Sequence, residues 1–534
     1  MPSGAQALIR TLVDAGVTTC FSNPGTSEIH FVAELDAVPE MRAVLTLFEG
    51  VATGAADGYA RMADAPGATL LHLGPGLGNG LANLHNARRA KVPVLNIVGD
   101  QATHHVEYDA PLQSDIETLA RNVSGWVRTS RITDELTGDA VEAIAAATGP
   151  PGQVATLIVP ADVAWQDGAQ VASPPEPAIS PAASGEAIKA IADAIRSGRR
   201  TGLLLGCRAL RERGLLAAAR IAAATGTKLL AEMFPARLER GAGLPAVERL
   251  LYWPELASSQ LEGLEQLILV DASAPVTFFA YPGKKSSLVP DGCQVYELAP
   301  PTFDVLRSLE ELVEALDAGH AQPALQERSM PPRPEGPLSA AAVCQAVGAT
   351  LPEGAIVSDE AITSGFALPP CTAGGPTHDW LTLTGGAIGQ GLPVAVGAAI
   401  ACPDRPVIAL QADGSGLYTI QSLWTMAREQ LDVTVVIFNN RTYSILDAEL
   451  VRAGVHDAGA QAKAQLGLRD PDLDFVALGT GLGVATRRVD AGETLTDALE
   501  EAIAEPGPHL IEVVIPAESP PAVVLGYAQR AARS

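Results

Sequence analysis

Positive charge is scarce in this 534-residue chain. Lys and Arg number 36 against 61 Asp and Glu, for a formal net charge of −25. Acidity on this scale argues against a nucleic-acid groove and against binding to anionic membranes. Paired cysteines are also missing. Cys20, Cys207, Cys293, Cys344, Cys371 and Cys402 are scattered with no C-x-x-C pair. That pattern excludes a disulfide framework or zinc site and predicts buried, reduced thiols. No apolar run reaches the ~18 residues of a membrane-spanning helix. The opening residues, Met1 to Gln6, lack the basic region and apolar stretch of a signal peptide, which points to the cytoplasm. What remains is ordinary globular composition, 47% hydrophobic and 18% charged. The length calls for about two to four domains.

Two Pro-rich stretches divide the chain, Ala172 to Pro181 and Gln322 to Pro337. Proline continues neither a helix nor a central strand, so both read as linkers. The segments 1–170, 185–320 and 338–534 result. Each alternates apolar strands with amphipathic helices, the pattern of doubly wound parallel α/β sheets. In the middle segment, Gly202–Gly206 and Leu267–Asp271 read as strands and Leu215–Ala224 as a helix.

Chemistry concentrates in two places. In the third segment, the apolar run Val407–Leu410 leads into Ala412-Asp413-Gly414-Ser415, and 417–430 reads as a helix. Val433–Phe438 is a second buried strand, closed by Asn439-Asn440. In such a β-α-β unit, Asp413 and Asn440 stand at the carboxyl ends of parallel strands, where open α/β sheets bind ligands. Their oxygens suit Mg²⁺, and the N–H groups at Gly414 and Ser415 suit a phosphate. In the first segment, Glu49 ends an apolar run and small residues follow it through Gly50, Ala52, Gly54, Ala55 and Ala56. A lone buried Glu is costly without a partner.

These two stretches, in this order, resemble the thiamine diphosphate (ThDP) enzymes of the decarboxylase type. The resemblance spans essentially the whole chain, as a pyrimidine-binding, a central and a diphosphate-binding domain, three doubly wound parallel-sheet units. It implies that Asp413, Asn440 and Thr442 hold Mg²⁺ and that Gly414, Ser415 and Tyr443 line the diphosphate, with Ala412 standing where the family usually has Gly. It implies that Glu49 exchanges a proton with the cofactor's aminopyrimidine. Gly385-Gly386-Ala387-Ile388-Gly389-Gln390-Gly391 resembles the loop that clamps that ring. Ile388 is then the wedge that bends the cofactor and Gly386 the carbonyl acceptor. Thr363, in Glu360-Ala361-Ile362-Thr363-Ser364, falls in the loop beside the diphosphate.

Within the family the motifs are mixed. Phe21 to Glu28 resembles the first strand and turn of benzoylformate decarboxylases and acetolactate synthases. Thr26 falls where the former carry a substrate-contacting Ser. His72 matches benzoylformate decarboxylases, at a strand end before a Gly-rich turn, whereas Gly74-Pro75-Gly76 and Gln113 match acetolactate synthases. Ala280 falls near a second active-site His of benzoylformate decarboxylases, and Ile445 and Leu446 stand without the acceptor-selecting Trp of the synthases. No flavin-binding signature is visible, so FAD is not expected. His104 and His105 read as loop surface or site rim. Arg88, Arg89 and Lys91 read as a solvated helix end.

The resemblance implies non-oxidative decarboxylation of a 2-oxo acid. Ligation to an aldehyde or second oxo acid can follow, giving an acyloin or acetohydroxy acid. The expected unit is a homodimer or homotetramer with active sites shared between subunits. Two alternatives share the fold. One is a 2-hydroxyacyl-CoA lyase or oxalyl-CoA decarboxylase, which commonly has more basic residues near its end than the two in Ala522–Ser534. The other is a non-catalytic ThDP-binding homologue.

Overall fold

A computed structural model describes residues 2–517, so the basic residues counted in 522–534 lie outside it. Three sheets organise the described residues. The first contains β1 (Thr19–Asn23), β2 (Arg42–Leu45), β3 (Gly67–Leu71), β4 (Val94–Asp100), β5 (Trp126–Thr129) and β6 (Val154–Pro160). All its neighbours are parallel, in the order β2-β1-β3-β4-β6-β5. The second contains β7 (Thr201–Leu205) and β8 (Lys228–Ala231). After a detour through β9 (Leu238–Arg240), it continues with β10 (Glu248–Arg249), β11 (Gln266–Val270) and β12 (Gln294–Ala299). Its order is β10-β8-β7-β11-β12, also parallel. The third holds β13 (Ile356–Glu360), β14 (His378–Thr382), β15 (Val407–Ala412), β16 (Val433–Asn439), β17 (Ala485–Val489) and β18 (His509–Val514).

The third sheet differs from the sequence expectation in one strand. Its order is β17-β18-β16-β15-β13-β14-β9, and β9 pairs antiparallel with β14. A strand from the middle of the chain thus closes the edge of a sheet built from its end. That placement covers backbone groups that an exposed edge would leave unpaired. The central strands β15 and β16 are Val- and Ile-rich and buried along nearly their whole length, as strands covered on both faces must be.

The helix expected over 417–430 is broken. One turn, Asp413–Gly416, follows β15 directly, and the helix proper runs only Ser422–Glu429. Between them, Thr419 Oγ1 donates to the carbonyl of Gly389, so this bend is tied to a loop of the same domain. The residues after His72 are also not a turn. Leu73–Ala90 is one helix, and Gly74 to Gly78 form its first turns. Of the six cysteines, Cys20 and Cys344 are buried, whereas the other four are only partly so.

The first and third sheets meet through two helices, Glu49–Ala63 and Gly391–Ala401. A Cβ at Gly58 would lie 2.2 Å from the carbonyl oxygen of Val394, and one at Gly397 would lie 1.9 Å from that of Ala55. Glycine at these positions lets the backbones touch. This contact sets where Glu49, at the head of one helix, stands relative to the loop that starts the other.

Candidate active site

Glu49 opens its helix, four residues beyond Leu45, the last paired residue of β2. Thr46 ties the intervening turn by donating to the carbonyls of Ser22 (3.2 Å) and Phe48 (3.3 Å), and Phe48 is extended. The Glu49 side chain is buried at 6% exposure in an otherwise apolar helix start. Its Oε2 accepts a hydrogen bond from Asn79 Nδ2 at 3.0 Å. Its Oε1 faces Gly76, where a Cβ would stand 3.2 Å from it and 3.4 Å from the Cβ of His72. Glu49 and His72 therefore flank the same glycine.

His72 sits between β3 and its helix, and its Nδ1 lies 2.8 Å from Glu28 Oε2 and 3.1 Å from Ser27 Oγ. Thr26, the expected substrate contact, is exposed at the start of the one-turn helix Thr26–Glu28; the hydroxyl that reaches His72 belongs to Ser27. Gln113 lies in the loop before the helix Ile116–Arg121. Its Oε1 is buried and has no hydrogen-bond partner among the described residues. The neighbouring Ser114 presses on the start of the His72 helix, since a Cβ on Gly74 would meet its hydroxyl at 1.8 Å. His104 and His105 are exposed, with His104 Nδ1 3.7 Å from Asp162.

The loop 385–391 is held from both sides. From the first sheet's side, Asn86 brackets Ala387, accepting from its N–H (3.2 Å) and donating to its carbonyl (2.8 Å). Asn83 donates to the carbonyls of both Gly50 (2.7 Å) and Gly389 (3.2 Å). From below, Glu360 accepts from the N–H groups of Gly389 (2.6 Å) and Gly391 (2.5 Å). Burial pushes Glu360 up to about 7 despite those donors. Gly386 has φ +77°, and Phe278 packs directly on it, 2.3 Å from where a Cβ would be. Ile388 and Thr363 are half-buried, the latter in the one-turn helix Ile362–Gly365.

Asp413 and the Asn pair stand at adjacent strand ends, where Ala412 pairs with Phe438. Ala412 has φ −73° and ψ 150°, a conformation open to any residue, so the absent family glycine costs nothing here. Asp413 accepts from the N–H groups of Gly414 (2.8 Å) and Arg441 (2.6 Å). Burial outweighs both and pushes its carboxyl up to about 6. Asn440 donates to Ser444 Oγ (3.1 Å), while its Oδ1 accepts from Thr442 N (3.0 Å) and keeps a second lone pair. Thr442 donates its hydroxyl to the carbonyl of Leu466, and Tyr443 packs against Gly414. Among the described residues no cluster of three or more His, Cys, Asp or Glu could hold a metal. One desolvated carboxylate with amide and backbone oxygens is the donor set of a Mg²⁺ that also binds phosphate. The residues fit that ion and a diphosphate.

Several participants were not assigned from sequence. Glu28, Ser27, Asn79, Glu360 and Phe278 gain their places through contacts remote in the chain. Only Glu28 carries a local signal, the reach of its carboxylate back to Gly25 N that caps its own turn (2.8 Å).

Known proteins resemble this chain over most of its length. Residues 2–121 match the thiamine pyrophosphate enzyme N-terminal TPP binding domain, and residues 371–513 match the C-terminal TPP binding domain. The chain is 56% identical over 517 residues to the "Putative acetolactate synthase large subunit IlvX" of Mycobacterium tuberculosis, covering 96% of this chain and 99% of that one. It is 29% identical to benzoylformate decarboxylase of Pseudomonas aeruginosa, covering 93% and 96%. The thiamine diphosphate-dependent 4-hydroxybenzoylformate decarboxylase of Rhodococcus jostii superposes with a TM-score of 0.83 at 26% identity, covering 96% and 99%. The chain belongs to the thiamine pyrophosphate enzymes.

Proposed function

We propose that the protein is a ThDP- and Mg²⁺-dependent enzyme that decarboxylates a 2-oxo acid without oxidation. It then releases an aldehyde or joins the retained carbons to a second carbonyl compound. The convergence of Glu49 and His72 on Gly76 carries this reading. The buried Glu49 carboxylate and the Cβ of His72 stand on the same glycine. Glu49, with one oxygen held by Asn79, is placed to exchange a proton with the cofactor's aminopyrimidine. Asp413 and Asn440 hold the metal, and Gly414 and Ser415 the diphosphate. Glu360 and Asn86 fix the loop whose Gly386 carbonyl and Ile388 side chain orient the ring. When bound, ThDP supplies a nucleophilic carbon and an electron sink.

The substrate's side chain faces an apolar wall on this reading. Phe278, on Gly386, stands 5.0 Å from Phe279, 5.9 Å from Phe234 and 5.4 Å from Tyr252, ring centre to ring centre. Ile445 and Leu446 open the helix Ser444–Arg452 that follows the Asn pair. Such a surface disfavours a carboxylate and so favours its loss. It also suits a substituent of aryl size, as the names of two relatives suggest. We take the reaction to need no flavin. At the switch point of the second sheet, between β7 and β11, the strand ends approach closely and carry an ion pair. A Cβ on Gly206 would lie 2.4 Å from the Asp271 carbonyl, and Arg208 pairs with Asp271 across it at 3.0 Å.

The test is turnover of benzoylformate, phenylpyruvate, pyruvate and 2-oxobutyrate, with and without an aldehyde acceptor, after chelation and reconstitution with ThDP and Mg²⁺. Products are identified and the visible spectrum is recorded. Turnover without ThDP, or no turnover of any 2-oxo acid, defeats the reading. A yellow protein with stoichiometric FAD defeats its flavin-free part.

A further inference from the structure

The Glu28 carboxylate is 3% exposed, and among the described residues no Lys or Arg pairs with it. Its Oε2 takes the N–H of Gly25 and lies 2.8 Å from His72 Nδ1; its Oε1 takes the hydroxyl proton of Ser27 at 2.6 Å. Ser27 Oγ is in turn 3.1 Å from the same Nδ1. A hydroxyl has one proton to donate. With that proton spent on Glu28, Ser27 presents only lone pairs to the imidazole. Both atoms beside Nδ1 are then acceptors, so Nδ1 must carry the hydrogen. Nε2 is left as the other nitrogen of a side chain that is 24% exposed.

Two further features show that this arrangement is built in. A Cβ at Gly25 would fall 2.3 Å from His72 Nδ1, and one at Gly99, in β4, would fall 1.7 Å from Glu28 Oε1. Any larger residue at either position displaces the pair. Leu73, next to His72, has φ +47°, a left-handed conformation that an aliphatic residue adopts only under constraint. The strained residue fixes the direction in which His72 leaves the backbone.

We propose that Glu28 is a positioning residue. With Ser27 it locks His72 in the Nδ1–H tautomer and presents Nε2 to the substrate as the atom that handles the proton. The proposal rests on the decarboxylase reading for what that proton does. The bond to the departing carboxylate breaks, and bound ThDP would supply the sink for its electron pair. In the Nδ1–H tautomer Nε2 carries no proton of its own, so it first takes one from solvent; that proton ends on the carbon that lost carbon dioxide, and the imidazole returns to its neutral form. Glu49 faces His72 across Gly76 and serves the cofactor, not this step.

The tautomer is read without cofactor or turnover, by two-bond ¹H–¹⁵N correlation in histidine-labelled apoprotein. The His72 signals are identified by their loss in His72→Gln. Wild type should show Nδ1–H, and Glu28→Gln should show a mixed or Nε2–H form. With an accepted 2-oxo acid, Glu28→Gln should lower kcat for aldehyde formation by about 100-fold with KM nearly unchanged. Exchange of the cofactor's thiazolium proton, which reports Glu49, should stay at the wild-type rate. Gly99→Ala, which pushes the carboxylate without removing it, should move both readouts in the same direction and covers the case in which Glu28→Gln fails to fold. An Nε2–H tautomer in wild type overturns the proposal, as does a Glu28→Gln enzyme with wild-type tautomer and kcat. If wild type turns over no 2-oxo acid, the decarboxylase reading fails, and the spectra still decide whether Glu28 sets the tautomer.

Discussion

Asp57 and Arg61, one turn apart on the helix that Glu49 begins, form a 2.7 Å ion pair in which neither side chain touches solvent. The pair does not serve its helix alone. Asp57 also accepts from Gln390 Nε2 at 2.5 Å, inside the clamp loop. Arg61 donates to the carbonyls of Ala236 (3.1 Å) and Thr382 (2.8 Å) and to Thr384 Oγ1 (3.0 Å). One buried pair thus joins the first segment, the strap that carries β9 and the third sheet. Arg61→Met leaves the Asp57 carboxylate buried without its cation, and such a loss costs about 3–5 kcal/mol. Urea unfolding should show it. A change under about 1 kcal/mol would mean that water or another donor replaces the guanidinium.

Glu49→Gln should leave fold and cofactor affinity nearly intact, because Asn79 can still pair with the amide oxygen. Exchange of the thiazolium proton of bound ThDP, followed by deuterium incorporation, should slow by about 100-fold or more. Unchanged exchange would mean that Glu49 is misassigned.

Glu360 gives stability a pH dependence. Burial raises its carboxyl from 4.5 to about 7 in the fold, whereas the unfolded chain keeps an ordinary Glu near 4.3. Between these values the native state binds more protons than the unfolded state. Stability from this group is therefore greatest at low pH and falls as pH rises through the window from about 4.5 to about 7. Glu232, also pushed up to about 7 by burial, acts with the same sign. The difference between wild type and Glu360→Gln isolates Glu360. The melting temperature of the variant apoprotein should fall less over that window, and parallel curves for the two proteins would refute the assignment.

The legible part of this molecule was what neighbours in sequence decide. Val433–Phe438 and Val407–Leu410 announce buried strands, and Glu49 and Asp413 announce chemistry because a carboxylate after an apolar run is conspicuous. The strand limits moved by only a residue or two at the ends. The broken helix after Asp413 was not legible. Its interruption is held by a hydroxyl contact to Gly389, which no local propensity encodes. β9 was missed for a related reason, since three residues acquire strand geometry from an edge more than 130 positions away. The same holds at the site. Thr26 and Ser27 are adjacent hydroxyls, and only the course of the one-turn helix between Gly25 and Ile29 decides which one meets His72.

The last prediction concerns the assembly. Large apolar side chains stand exposed beside both halves of the site. Leu47 (45%) precedes Glu49 by two residues, and Ile29 (52%) follows Glu28. Phe366 (48%) follows the Thr363 turn, and Tyr418 (55%) packs against Gly389. Exposed apolar surface gathered around a site marks a face that another molecule covers. A second copy of the chain, related by a twofold axis, would cover both groups at once. In that arrangement Glu49 of one subunit serves the cofactor held by Asp413 of the other. Glu49→Gln and Asp413→Ala homodimers should each be inactive. A mixed dimer places both substitutions in one of its two sites and leaves the other intact, so subunit exchange between the two variants should recover activity. If mixed dimers verified by mass show no recovery, each chain builds its site alone and the shared-site arrangement is wrong.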